Sequence, residues 1–310
     1  MRRVLEAGLL CLATAAAGDT AYITCQSDDT LGIIDLTGQS EVGQWSVKGK
    51  PAGVAVTQGM VYTVSPDSKE IRRFDILSGE VLAQTRLDGG PVGVALDTGR
   101  NRLFVSDWYN ARLFVLDATT LAPLQELPTG TAPAGLALSD DGRYLASADK
   151  EANQVSIFDA ETLTTRHQPT VGLRPYGLRF DPGGRLFVGN VGSNDVTVID
   201  PASGEMLATI PVGERPYGVA FAGGRAFVTN QYENTVSVID LTTLTHETKI
   251  DVGEYPEGID TTPDGSRIVL ANWFDNTVSV IDPKSLSVLF EADTCDGPRA
   301  FGTFLLGGKE

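Results

Sequence analysis

Arg174, Tyr176, Arg215, Tyr217, Glu257 and Arg299 cluster around a recurring tripeptide: PYG at residues 175–177 and 216–218, PEG at 256–258, and a final PRA at 298–300. Arginine's planar fork suits a carboxylate or phosphate, and tyrosine and tryptophan add stiff contact surface with a polar edge. A second recurring position carries Trp108, Tyr109, Gln231, Tyr232, Trp273 and Phe274. The chemistry of these types is recognition, of an anion or of a partner protein, with Arg174, Tyr176, Arg215, Tyr217, Trp108, Tyr232, Glu257, Trp273 and Arg299 as candidate contacts. Packing is the competing reading, in which Tyr176 and Tyr217 wedge between neighbouring units and the arginines pair with Glu214, Glu254 and Glu257.

Catalytic and cofactor chemistry finds less support. His167 and His246 are the only histidines and stand far apart in sequence. No histidine-centred triad, His or Cys metal cluster or haem attachment motif can be assembled from them. Glycine pairs such as that in GLRFDPGG precede no helix on which a phosphate could sit. Glu254, Glu257 and Asp107 could approach one another for acid–base work, but nothing in their spacing demands it. No catalytic residue, metal or cofactor is therefore assigned.

What must position the candidate residues is a repeat. NTVSVID is spelled at residues 234–240 and again at 276–282. Asp35, Asp75, Asp117, Asp159, Asp200, Asp240 and Asp282 each close an apolar run, at intervals of 40 to 42 residues. A proline follows each of them by 16 residues, at Pro51, Pro91, Pro133, Pro175, Pro216, Pro256 and Pro298. A period of this size marks a solenoid, propeller or array.

Within residues 216–257 the pattern of Val, Ile, Phe and Thr, broken by Gly, Asn and Asp, predicts four strands: Gly218 to Phe221, Arg225 to Asn230, Thr235 to Asp240 and Thr248 to Val252. Seven such units make an all-β protein, a seven-bladed β-propeller with four antiparallel strands per blade. The repeated aspartate is expected to accept backbone N–H groups of the turn that follows it.

The first unit lacks its first strand, since TAYITCQSDDTLGIIDL aligns with RAFVTNQYENTVSVIDL, and the chain ends in a lone first strand, DGPRAFGTFLL. The ring is expected to close by joining the N-terminal second, third and fourth strands to that C-terminal first strand. Cys25 and Cys295 then meet at the seam, where a disulfide is geometrically reasonable; two unrelated buried thiols are the alternative.

Residues 1–17 have the layout of a Sec-type signal peptide, with Arg2 and Arg3 before an apolar stretch from Ala7 to Ala17 that ends in three alanines. Glu6 sits awkwardly in it, and Leu10 before Cys11 disfavours a lipoprotein site. Residues 18–310 are expected to form a single propeller domain, monomeric and periplasmic or secreted, with no membrane span because eleven apolar residues are too few. Removing residues 1–17 takes two arginines and one glutamate and moves the formal charge from −16 to −17. Such an acidic surface repels nucleic acid and anionic lipid, so neither is an expected partner.

FVTN with NTVSVID in one unit, PYG before the first strand and GPRAFG at the C-terminus resemble the YVTN, or YncE-like, family of bacterial seven-bladed β-propellers, over nearly all of residues 18–310. The second and fourth units, YTVSPDSKEIRRFD and LASADKEANQVSIFD, depart from the FVTN pattern. The resemblance implies an exported, mostly non-catalytic propeller; some members accompany quinone-dependent oxidation and one branch binds DNA, a role the acidic balance argues against. The reading is therefore a binding or scaffold module that holds a periplasmic protein or small anionic molecule. The alternative is an enzyme or enzyme subunit, either a lactonase-like hydrolase or the propeller component of a quinone-dependent dehydrogenase.

Overall fold

Each copy of NTVSVID is a third strand anchored at both ends by its own side chains. Asn234 and Asn276 lie in the left-handed region, at φ 57° and 55°. Their Oδ1 atoms accept the N–H of Tyr255 at 3.0 Å and of Gly297 at 2.9 Å. Asn and Asp tolerate this conformation better than other side-chain-bearing residues. At the far end, Asp240 accepts the N–H groups of Thr242 at 2.8 Å and Thr243 at 2.7 Å, and Asp282 accepts that of Lys284 at 2.8 Å. The same Asp turn recurs at Asp35, Asp75, Asp117, Asp159 and Asp200. The repeated aspartate thus has the structural role expected of it.

The computed structural model describes residues 18–308, so the signal-peptide expectation for residues 1–17 lies outside the described residues. Seven sheets follow one another around a ring, six of four antiparallel strands and one of five, in which the added strand is parallel to its neighbour. Counting in chain order, blade one begins at Gly53–Val56, blade two at Pro91–Asp97, blade three at Pro133–Leu138, blade four at Pro175–Phe180, blade five at Pro216–Ala222 and blade six at Pro256–Thr261. These are the inner strands that surround the channel. In blade five the remaining strands are Arg225–Asn230, Thr235–Asp240 and Thr245–Asp251, so the fourth begins three residues earlier than the sequence pattern suggests. Its exposed, alternating Thr, His and Glu residues hid the start.

In blades two to six the inner strand pairs at its proline, slips, and resumes pairing three residues later, for example at Pro216 and Val219. A bulge re-aims side chains, and here it turns the middle residue of Pro-x-Gly toward the channel. The glycine answers to crowding: a Cβ on Gly177 would lie 1.9 Å from the Tyr217 carbonyl oxygen of the next blade. A buried hydroxyl then links adjacent blades. Thr229 Oγ1 accepts the Gly218 N–H at 2.9 Å and donates to the Glu257 carbonyl at 2.8 Å. Ser106 does the same between Gly93 and Ala134, at 2.8 and 2.7 Å.

Apolar side chains fill the space between blades. Phe187, Val196 and Val198 of blade four meet Val219, Ala226, Val228 and Ile239 of blade five, all buried. The seam closes as a disulfide, Cys25–Cys295, with Cα atoms 5.7 Å apart. Cys25 holds the place of Asn230 in blade five, and Cys295 that of Gly213, whose N–H donates to Asn230 Oδ1 at 3.1 Å. A covalent bond stands where another blade uses a hydrogen bond.

The C-terminal first strand is split rather than continuous. Pro298 bridges Cys25, Phe301–Thr303 then pairs parallel with Gly53–Val56 of blade one, and Leu305–Leu306 returns to pair antiparallel with Thr20–Cys25. Gly302, at φ 142°, permits the diversion, since a Cβ there would lie 2.1 Å from the Val54 carbonyl oxygen.

Candidate functional site

The second strands end, and the inner strands begin, at one face of the ring, and the nine candidate contacts gather there. Tyr176 and Tyr217 enter the channel from their bulges and stack with centroids 4.6 Å apart. Phe301 joins them at 5.2 and 5.5 Å, and Trp108 lies 6.3 Å from Tyr176. With Ala134 and Val191 they form a buried cluster that occupies this end of the channel. Burial drives the Tyr217 phenol well above its ordinary pKa, so it stays neutral.

Beside the cluster, Glu257 is fully buried and receives a bidentate Arg299, Nε to Oε2 at 2.6 Å and Nη2 to Oε1 at 3.1 Å. Gln231 donates a further hydrogen bond to Glu257 at 2.6 Å, and the Arg299 guanidinium lies 4.6 Å from the Trp273 ring centroid. Burial works most strongly, against the guanidinium charge, but the Glu257 carboxylate together with Tyr217 and Tyr176 outweighs it and the Arg299 pKa is raised.

Three further cations ring this face. Lys150 Nζ lies 4.7 Å from the Trp108 centroid and 5.5 Å from that of Tyr176. Burial and then the nearby Arg174 lower its pKa. Arg215 lies over Tyr232 at 4.5 Å and donates to its hydroxyl at 3.2 Å, while Arg174 pairs with Glu151 at 2.9 Å. Tyr255 spans the gap between Tyr232 and Phe274, at 5.5 and 4.6 Å.

Arg174, Tyr176, Arg215, Tyr217, Glu257 and Arg299 therefore share one end of the channel, but not one role. Tyr176, Tyr217 and Glu257 are buried and offer a ligand almost no surface. Arg299 is committed to Glu257, and Arg174 to Glu151 rather than to Glu214 or Glu254. Accessible surface comes instead from Tyr109, Tyr232 and Phe274, which are 76, 52 and 63% exposed. Among the described residues these are the exposed aromatic side chains of any size, and all three sit in turns after second strands. Asp107 and Glu257 do not form an acid–base pair, because Asp107 is held by Arg112, Asn110 and the Gly90 N–H. Among the described residues no three His, Cys, Asp or Glu side chains converge to hold a metal ion.

The opposite end, where first strands turn into second strands, is hollow. A cavity of about 520 Å³ is lined by the later residues of the inner strands and by their turns, from Thr57 to Pro263. One ion pair projects into it: Arg179 Nη1 to Asp260 Oδ1 at 2.6 Å, linking blades four and six past blade five. Neither residue is among the candidates that the sequence pattern singles out. A signal was present, because the fifth residue of the Pro-x-Gly strand is alanine in four blades, at Ala55, Ala95, Ala137 and Ala220, and departs from it at Arg179 and Asp260.

Residues 220–295 match the family model described as YNCE-like beta-propeller, and residues 109–221 match that of the seven-bladed beta-propeller Lactonase. No curated protein matches the chain. Among solved structures, Kuenenia stuttgartiensis Hydrazine Synthase aligns at 18% identity and TM-score 0.73, covering 89% of this chain and 99% of that one. A functionally unknown protein from Desulfotomaculum acetoxidans aligns at 13% identity and TM-score 0.77, covering 93% and 98%. Identities this low carry the fold alone. With its seven blades, its repeat and its matches to two propeller family models over residues 109–295, the chain is a seven-bladed β-propeller similar to the YncE-like family.

Proposed function

We propose that the protein is an exported binding or scaffold propeller that docks a periplasmic protein through the face bearing Tyr109, Tyr232 and Phe274. One observation carries this reading: the exposed aromatic side chains all occupy turns of a single face, beside Arg215, Lys150, Trp108 and Trp273. Tyr, Trp and Arg are the types that dominate binding energy at protein interfaces. Arg215 and Lys150 suit an acidic group on the partner, or a small anion in its place. The buried Tyr176, Tyr217, Glu257 and Arg299 hold the platform rather than touch the partner. The disulfide fits an oxidising compartment, and among the described residues no helix is long and apolar enough to cross a membrane.

The test is cross-linking of the native protein in its own cell envelope, alongside a Tyr109→Ser, Tyr232→Ser, Phe274→Ser variant. One stoichiometric partner, lost in the variant while its melting temperature is kept, supports the reading. A partner that the variant keeps refutes it, and so does the absence of any partner. The match to the Lactonase model favours a second reading, a hydrolase, for which a lactone-hydrolysis assay with and without added divalent metal is the direct check.

A further inference from the structure

We propose that the hollow end of the channel, on the face opposite the aromatic platform, binds a small uncharged molecule with an apolar body and a carbonyl oxygen. The cavity, about 520 Å³, lies within the roughly 300–1,000 Å³ range of small-molecule sites. It is a blind cup, because Tyr176, Tyr217 and Phe301 fill the channel beyond it. Leu96, Leu138, Phe180, Phe221 and Ile259 supply an apolar wall.

The polar chemistry is one-sided. Asp260 accepts from Arg179, from the Thr261 N–H at 2.9 Å, and from the Phe304 and Leu305 N–H groups at 2.9 and 3.2 Å, which fills its acceptor sites. Arg179 donates through Nη1 to Asp260 and through Nη2 to the Gly302 carbonyl at 3.2 Å. A guanidinium has five N–H groups, and the Arg179 side chain remains 21% exposed in the cavity wall. The unspent groups are donors, so the matching ligand atom is an acceptor.

Charge decides which acceptor. Asp260 already neutralises Arg179, the exposed Asp140 also lines the cup, and the whole chain carries −16. An anion gains little there and is repelled at the rim. A ketone, ester or amide oxygen takes the donors without that penalty. The pair also anchors the returning C-terminal strand, through Phe304, Leu305 and Gly302, and that role leaves the remaining donors free.

The test compares three molecules of one shape against the intact protein by methyl-detected NMR titration: acetophenone, ethylbenzene and benzoate. Acetophenone should saturate, with shifts confined to methyl groups that line the cup, such as those of Leu96, Leu138 and Ile259. Ethylbenzene, lacking the acceptor, should bind roughly fivefold to tenfold more weakly, the worth of one hydrogen bond. Benzoate should be weaker than acetophenone. Thr98→Trp, at the exposed rim, should abolish the shifts with the melting temperature unchanged. The proposal falls if acetophenone does not saturate, if ethylbenzene equals it, if benzoate exceeds it, if the shifts appear among the residues of the aromatic face, or if a folded Thr98→Trp still binds.

Discussion

At one end of the channel Tyr176, Tyr217 and Phe301 interlock beside a buried Glu257–Arg299 pair, and the Cys25–Cys295 bond joins the termini of the ring. At the other, the same inner strands draw apart around about 520 Å³ of space crossed by Arg179 and Asp260. Both ends are built from the same repeat. The difference lies in one or two positions per blade: bulky or charged middle residues of Pro-x-Gly fill the first end, whereas alanine at the fifth position in four blades leaves the second open. A propeller can thus devote one end to stability and an exposed rim while keeping the other for a guest.

If the filled end carries the stability, its bonds should be the costliest to lose. Reduction of Cys25–Cys295 tests this most severely. The bond spans 270 residues, and loop-closure entropy for so long a loop is worth up to about 5 kcal/mol. Without residues 1–17, which carry Cys11, the protein should show no free thiol before reduction, and its melting temperature should fall after it; an unchanged temperature would mean that the ring is held shut by packing alone. Glu257→Ala comes next. Leaving Arg299 without its buried partner should cost about 3 to 5 kcal/mol in urea unfolding, and a loss below 1 kcal/mol would place the weight of this end elsewhere.

Acid should act on the hollow end first. Asp75, Asp117, Asp159, Asp200, Asp240 and Asp282 sit in turns on that face, and backbone N–H donors hold their carboxyls below the usual range. A lowered folded pKa contributes stability above the unfolded value, near 3.9, that is lost as pH falls through the folded values. Amide exchange at Thr120 and Thr243 should therefore accelerate below about pH 4, ahead of amides near Glu257. Uniform acceleration would erase the distinction between the ends. The smallest effect is expected at the exposed rim. Arg215→Ala removes a contact to Tyr232 and should change stability by less than about 0.5 kcal/mol, and a larger loss would make that rim part of the scaffold instead of a free surface.

Much of this architecture was legible in the residues. Blade number, the aspartate turns, the incomplete first unit and the Cys25–Cys295 bond all follow from a period of about forty residues, because each is a local pattern copied around a ring. The candidate contacts were legible as a group, since residues at one repeat position must share one end. Their exposure was not. Tyr217 and Tyr232 are the same residue type, yet one is 4% exposed and the other 52%, because the first enters a channel narrowed by six neighbouring strands and the second sits on a turn that nothing covers.

The residues of one repeat specify the unit: strand, turn, strand, with glycine where the next blade crowds in and Asn or Asp where a turn needs a side-chain acceptor. Those requirements are local or reach only the adjacent copy, so one repeat states them and the others restate them. It takes the closed ring for Arg179 to meet Asp260 across an intervening blade, for Glu257 to surrender its carboxylate to Arg299, and for one end of the channel to fill while the other stays open. Those outcomes depend on which blades face each other once the ring closes, and on how much volume the inward side chains jointly occupy, quantities that no single repeat contains.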